Sequence, residues 1–328
     1  MRAVVTGGAG FVGAHLVRRL LREEIDVVVV ERPGARLDNL AGLKVTHHTA
    51  DIVVPDSVLP ALAGCDVLFH LAANPRLWAA DPDEFRRTNT EGTRNVLAAA
   101  EKARVPRTVY TSTESIIGPS RDGTPCNEDT VSRAEEMVGP YCLSKFLAER
   151  AAVEAAERGL DVVIVNPTVP VGPGDVNASP PTAMIVDFLR GRIPAYIECH
   201  INIVDVRDVA EGHMLAWRKG VKGRRYILGG ENVTVKRIFE LAGEIAGRKP
   251  PRWRIPIAFA LPIAWISEFV ADHVTHTAPR ATITGVKLAR HFMHFDASRA
   301  VRELGFRPGP VRRALEDAVA WYREKGWI

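Results

Sequence analysis

The chain is poor in the features that mark secreted scaffolds, membrane spans and nucleic-acid binders. It has four cysteines, Cys65, Cys126, Cys142 and Cys199, widely spaced and without a C-x-x-C. That argues against a disulfide framework or a cysteine zinc site and suits a reducing cytosol. Aromatic residues make up only 7% and the formal net charge is +4. Lys and Arg are scattered, so no nucleic-acid partner is expected. A long clean apolar run is also missing. The most apolar late stretch, "IPIAFALPIAWISEFVADHV" at 255–274, is interrupted by two prolines and Glu268. It falls short of the ~20 apolar residues that a membrane span needs. Two readings stay open for it: a buried or domain-packing helix, and an interfacial helix that dips into lipid. "MRAVVTGG" enters an apolar strand at once, without a signal-peptide pattern, so a cytoplasmic location is expected.

What the chain does have is alternation. Its 328 residues are 46% hydrophobic and 25% charged, enough for two domains or one enlarged α/β domain. "AVVTG", "DVVVVE", "VLFHLAA", "RTVYTST" and "DVVIVNP" read as strands. Between them "FVGAHLVRRLLREE", "TEGTRNVLAAAEKA" and "YCLSKFLAERAAVEAAERG" have helical period, the first with Val12, Leu16, Leu20 and Leu21 on one face. This order predicts a parallel sheet with helices on both faces. Strands this rich in Val, Ile, Leu and Phe predict burial from both sides. "NPTVPVGPGDVNASPPTA" reads as an irregular loop leaving the sheet. "MIVDFLRG" follows as a helix, "INIVDVRDVAEGHMLAWRKG" as a strand running into a helix, and "RRYILGGE" as a strand. The last hundred residues read as mostly helical, and no internal repeat is present.

"TGGAGFVG" places Gly7, Gly10 and Gly13 between the first strand and the first helix. The first glycine permits a tight turn, the second lets a phosphate approach the backbone, and the third lets helix and strand pack closely. The helix N-terminus then offers free N–H groups to a pyrophosphate. The second strand ends at Glu31, followed by Arg32. A carboxylate there accepts the hydroxyls of an adenosine ribose, whereas an arginine attracts a 2′-phosphate. The end-of-strand position of Glu31 favours NAD, and Arg32 keeps NADP open. Tyr141 and Lys145 are four apart on a predicted helix, hence on one face. A nearby ammonium lowers a tyrosine pKa and makes the phenol usable as an acid/base. Just before them, "YTSTES" ends a strand with three consecutive hydroxyls, Thr111, Ser112 and Thr113. All these pieces meet at the carboxyl edge of a parallel sheet, where ligands bind.

"TGGAGFVG", "ADI", "HLAA", "NTEGTRN", "YTSTESIIG", "YCLSK", "VNPTVPVGPGD" and "DASRAVRELGF" occur in that order. Over essentially its whole length the chain thereby resembles the extended short-chain dehydrogenase/reductases. Within them it most resembles the hopanoid-associated sugar epimerases, through "VVIVNPTVPVGPGD…IVDFLRGRIPAY…YILGGEN". It is also similar to 3β-hydroxysteroid dehydrogenases and dihydroflavonol reductases, through "VYTSTES…GP". The resemblance implies a Rossmann-type doubly wound parallel sheet over 1–166, with returning segments at about 200–229. A smaller, mostly helical substrate domain would occupy 167–199 and 230–328. It implies Tyr141 as acid/base, Lys145 as the group that lowers its pKa and binds the nicotinamide ribose, and Thr113 as holder of the substrate oxygen, with Ser112 as the other candidate. Besides the glycines, Glu31 and Arg32, it implies cofactor contacts from Phe11, Val12, Leu71, Ala72, Ala73 and Thr111, with Asp51 and Ile52 near the adenine. Asn89 would support the backbone of the site, and Pro167 would begin a loop over the nicotinamide. A homodimer pairing helices around 90–103 and 141–157 is implied by the same analogy.

The substrate is less constrained. Nucleotide-sugar enzymes of the resembled superfamily usually carry an arginine where this chain has Ile201, and a second near Gly285. Arg280, Lys287 and Arg290 flank the second position without matching it. An arginine fork suits phosphate oxygens, so its absence weakens a nucleotide-diphosphate sugar. Leu77, Trp78, Phe259, Trp265 and Phe269 could instead line a wide apolar pocket, or simply pack a core. Three readings follow. One is a dehydrogenase of a sterol- or hopanoid-type polycycle, of the 3β-hydroxysteroid kind, which on a 4-carboxylate would also decarboxylate. Another is a sugar epimerase, its sugar linked to a hopanoid lipid. The third is a dinucleotide sensor without turnover, which the intact Tyr141/Lys145 pair disfavours. His273, His276, His291 and His294 have ligand-like spacing but no carboxylate cluster beside them, so no metal is expected.

Overall fold

A computed structural model describes every residue except Pro119, Arg121, Asp122 and Arg280. Arg280, one of the flanking basic residues considered above, thus lies outside the described residues. In chain order the first six strands are β1 (Arg2–Thr6), β2 (Asp26–Glu31), β3 (Thr46–Thr49), β4 (Val67–His70), β5 (Thr108–Thr111) and β6 (Val162–Pro167). They are followed by β7 (Val169–Val171), β8 (Ala195–Tyr196), β9 (His200–Asp205), β10 (Arg225–Leu228), β11 (Glu231–Thr234) and β12 (Trp253–Arg254). The helices are α1 (Phe11–Leu21), α2 (Asp83–Phe85), α3 (Gly92–Ala103), α4 (Gly139–Arg158) and α5 (Pro180–Leu189). Then come α6 (Val206–Lys219), α7 (Val235–Ala246), α8 (Ile257–Val270), α9 (Ile283–Leu288) and α10 (Val311–Glu324).

Seven strands form one parallel sheet in the order β10-β6-β5-β4-β1-β2-β3. Val4, Val5, Val27, Val29, Leu68, Phe69, Val109, Val163 and Ile164 are almost wholly buried in it. One face packs on α1 and α6 through Leu16, Val17, Leu20, Val209 and Met214. The other packs on α3 and α4 through Val96, Leu97, Ala148, Ala152 and Ala155. The expected doubly wound sheet is therefore present. Its order reverses between β1 and β4, the point where such sheets open a ligand crevice at their carboxyl edge. β3 was not expected: "THHT" has no apolar alternation, and its backbone bonds to β2 alone make it a strand.

The loop expected after Pro167 contains β7, and helix α5 already begins at Pro180. β9 joins β7 and β11 in a separate three-stranded sheet, so only α6 and β10 of the segment at 200–229 return to the large one. A second core gathers Phe188 of α5, Phe239 of α7 and Tyr322 of α10. α8 is not the buried helix of the first reading. Only Ala260 and Ala264 are buried, and Phe259, Trp265 and Phe269 stand exposed rather than lining a pocket.

Candidate active site

The loop after β1 is built to the tolerance of a hydrogen atom. Gly7 has φ +74°, and a Cβ there would sit 2.7 Å from the Ala72 nitrogen. A Cβ on Gly13 would sit 2.2 Å from the Gly7 carbonyl oxygen, against backbone that cannot move aside. Gly10 caps α1 without a side-chain bond, and no acidic residue lies in the first turn. The N–H groups around Phe11 and Val12 are thus left to a ligand anion. Glu31, at the end of β2, accepts a hydrogen bond from Ala9 N at 2.6 Å. Burial raises its pKa, against that bond and the Arg32 guanidinium. Arg32 itself is exposed. This cradle fits a dinucleotide: the turn would hold the pyrophosphate and the Glu31 carboxylate the adenine-side ribose.

The end of β4 is pinned from below. Thr6 Oγ1 bonds His70 Nδ1 at 2.7 Å, and His70 Nε2 bonds Thr93 Oγ1 at 3.0 Å. Burial drops the His70 pKa to about 3, so the ring is neutral. Leu71 N donates to Thr6 O and Ala72 N to Thr6 Oγ1, which lays Leu71, Ala72 and Ala73 beside the glycine turn. Asp51 turns the chain after β3 by accepting from Val53 N. Ile52 is buried against Gly92, and Asn95 Nδ2 holds its carbonyl at 2.9 Å. Asn89 Oδ1 accepts from Asn74 N at 2.7 Å, while its Nδ2 donates to Asn74 O and to Ser144 Oγ. Ser144 Oγ in turn donates to Tyr141 O. Asn89 thereby ties the loop after β4 to the first turn of α4.

Tyr141 lies in that turn, its ring edge-on to buried Phe85 at 6.3 Å. The Thr113 and Ser115 hydroxyls neighbour the phenol and act to lower its pKa. Burial and the Glu114 carboxylate push its pKa up, not down as expected from the lysine. The reason is geometric. Lys145 Nζ donates to the Thr111 carbonyl at 2.8 Å and to Tyr110 OH at 3.2 Å, rather than to Tyr141. Burial lowers the ammonium pKa to about 8, against the attraction of Glu149. The three hydroxyls after β5 also part company. Thr111 Oγ1 bonds His213 Nε2 of α6 at 2.8 Å, on the opposite face of the sheet. His213 Nδ1 bonds Val209 O, so Nε2 accepts and Thr111 donates. Ser112 Oγ is buried without a hydrogen bond. Thr113 alone is brought to Tyr141.

Two side chains here were missed from the sequence. Thr113 Oγ1 donates to Glu114 Oε2 at 2.8 Å, and burial raises that carboxyl to about 7. Asn166, next to Pro167 at the end of β6, donates from Nδ2 to Thr113 O and to Glu149 Oε2. A carboxylate adjoining a strand-end hydroxyl run was the available signal for Glu114. Among the described residues no three potential metal ligands gather. His294 instead meets His200, at 3.3 Å. Ile201 pairs with Val233 across β9 and β11, and the Gly285 position faces Leu77.

A phosphate-ready glycine turn at the sheet's switch point, with a tyrosine and lysine on the adjoining helix, defines an NAD(P)-dependent extended short-chain dehydrogenase/reductase. The chain belongs to the NAD dependent epimerase/dehydratase family, whose model matches residues 3–229. It is 42% identical to a Synechocystis sp. protein provisionally named a dihydroflavonol 4-reductase, covering 99% of this chain and 95% of that one. It is 35% identical to the sterol demethylase protein B of Methylococcus capsulatus, over 100% of both chains. It is similar in structure to the dTDP-glucose 4,6-dehydratase DesIV of Streptomyces venezuelae, solved with NAD and TYD bound. That likeness has TM-score 0.82 and 26% identity, and covers 100% of this chain and 98% of that one.

Proposed function

We propose that the enzyme interconverts a secondary alcohol and a ketone on a hydrophobic polycycle of sterol or hopanoid type, with NAD. The observation that carries this reading is the end-to-end likeness to a sterol demethylase protein. Apolar Ile201, paired with Val233, supports it, since by the resemblance nucleotide-sugar enzymes usually carry an arginine at the Ile201 position. NAD is preferred to NADP because Glu31 is turned into the cradle and Arg32 is exposed. The protein is further proposed to work in the cytoplasm as a homodimer formed through α3 and α4.

Nicotinamide, when bound, supplies the acceptor for the carbinol hydrogen and its electron pair. The chain's own residues handle the proton. Thr113 holds the substrate oxygen beside Tyr141, and the phenol takes or returns its proton. Because burial keeps the phenol protonated at neutral pH, it is poised to donate to a ketone oxygen. In the oxidative direction the proton has a path from Tyr141 through the Thr113 hydroxyl to Glu114, whose pKa of about 7 suits a base. Lys145 holds positive charge under the site, and Asn89 with Ser144 fixes the first turn of α4. On a 4-carboxylated sterol the resulting β-keto acid would then lose carbon dioxide.

The second reading is a sugar epimerase linked to hopanoid lipids. The likeness to a dehydratase solved with TYD favours it. The test is absorbance of reduced nicotinamide when pure protein meets NAD and a 3β-hydroxysterol bearing a C4 carboxylate. A rise is expected. No rise from protein shown to bind NAD would refute oxidation of that substrate, and sugar epimerisation would be assayed next.

A further inference from the structure

α8 is amphipathic in reverse. Ala260 and Ala264 point inward, toward α9 and Val286, and Ala271 just past the helix is buried as well. The large residues point outward: Phe259 is 67% exposed, Trp265 59%, Ile266 56% and Phe269 47%. Trp265 and Phe269 stack at 5.6 Å, giving a continuous aromatic ridge. Residues 257–275 are long and apolar enough to cross a membrane, yet only 17% of their most apolar stretch is buried. A soluble helix normally shows water the opposite side.

The exposed charges just before this face are all basic. Lys249, Arg252 and Arg254 are exposed just before the helix, around Trp253, which is 76% exposed. None of the three basic side chains makes an ion pair among the described residues. The two carboxylates of the segment are engaged elsewhere. Glu268 accepts from Ile283 N at 2.6 Å and Asp272 from Trp78 Nε1 at 3.0 Å. Exposed arginines beside tryptophan and phenylalanine are the composition that partitions into an anionic headgroup layer.

We propose that the outer face of α8, with the Lys249–Arg254 segment, docks the enzyme on an anionic bilayer, lying in its surface rather than crossing it. The alanine face stays against α9, which keeps the helix flat on the protein. The docked element is close to the site. Thr284 of α9 stands against Gly139, two residues before Tyr141, and Trp78 of the loop after β4 reaches the end of α8. Docking would therefore present the site to the layer where a polycyclic lipid resides. That last consequence rests on the proposed function; the docking does not.

The test is flotation of the full chain with phosphatidylcholine vesicles, with and without phosphatidylglycerol. Co-flotation is expected with phosphatidylglycerol present and should weaken as salt rises. The triple variant Phe259→Ser/Trp265→Ser/Phe269→Ser should bind at least about tenfold more weakly at unchanged Tm, since it trims only exposed side chains. Arg252→Glu/Arg254→Glu should remove the lipid-charge dependence. Absence of co-flotation with either vesicle would overturn the proposal. So would a triple variant that falls from dimer to monomer in lipid-free buffer, which would assign the face to a second copy. Turnover is not read, so this failure is separable from failure of the functional reading.

Discussion

Replacing Lys145 by Met should cut turnover sharply while leaving the fold as stable or more stable. The ammonium is buried, and its pKa falls from the ordinary 10.5 to about 8. At 1.36 kcal/mol per pH unit this amounts to about 3 kcal/mol of destabilisation at neutral pH. The folded form binds fewer protons than the unfolded form between pH 8 and 10.5. Stability should therefore rise with pH across that window, and the full cost should stand below it. Met removes the cost and the slope. It leaves the Thr111 carbonyl and Tyr110 hydroxyl without that donor, a loss of ~1–3 kcal/mol. Glu149 keeps Asn166 and Arg225 as partners, so no second charge is stranded. The two effects nearly cancel, and Lys145→Met should unfold within ~2 kcal/mol of wild type at pH 7. Turnover should fall by ~10²–10⁴ if the ammonium serves the acid/base step. Urea unfolding of both proteins at pH 7 and pH 10, beside steady-state rates, measures all of this. A variant less stable by much more than ~3 kcal/mol, a stability difference that ignores pH, or unchanged turnover would refute the reasoning.

Glu114→Gln should remove a limb from the pH profile of alcohol oxidation. In wild type the rate should rise through about pH 7 as the carboxyl loses its proton, and an identical profile in the variant would exclude the proposed proton path. Glu31→Ala removes the acceptor for Ala9 N and should weaken NAD about tenfold or more, and NADP less. Titration of both cofactors checks it, and an unchanged preference would contradict the role given to the strand end. Gly13→Ala places a methyl 2.2 Å from the Gly7 carbonyl. It should lower the Tm and cut NAD affinity together, whereas intact NAD binding would show that the turn has slack.

The large sheet was legible because its strands are valine runs buried on both faces, a pattern water does not tolerate elsewhere. The glycine turn was legible because each glycine answers a separate steric demand. β3 was not, since "THHT" contributes only backbone pairing at a sheet edge. Nor was the fate of Thr111. Side chains of a strand alternate faces, so Tyr110 turns to Lys145 while Thr111 turns to His213. The raised phenol pKa escaped for a related reason. Four-residue spacing places Lys145 on the same helix face, but the Thr111 carbonyl and Tyr110 hydroxyl capture its ammonium. α8 was legible as an apolar helix but not in which way it faces. Apolar content predicts burial, but the pattern does not say whether the alanines or the aromatics face inward.

The most direct test is Tyr141→Phe, read as single-turnover oxidation beside NAD affinity. The phenol oxygen is the only atom removed, and the ring keeps its place against Phe85. Loss of turnover by ~10²-fold or more, with NAD affinity unchanged, is expected if this phenol moves the substrate proton. Substantial turnover in Tyr141→Phe would place the acid/base elsewhere and contradict the site as a whole.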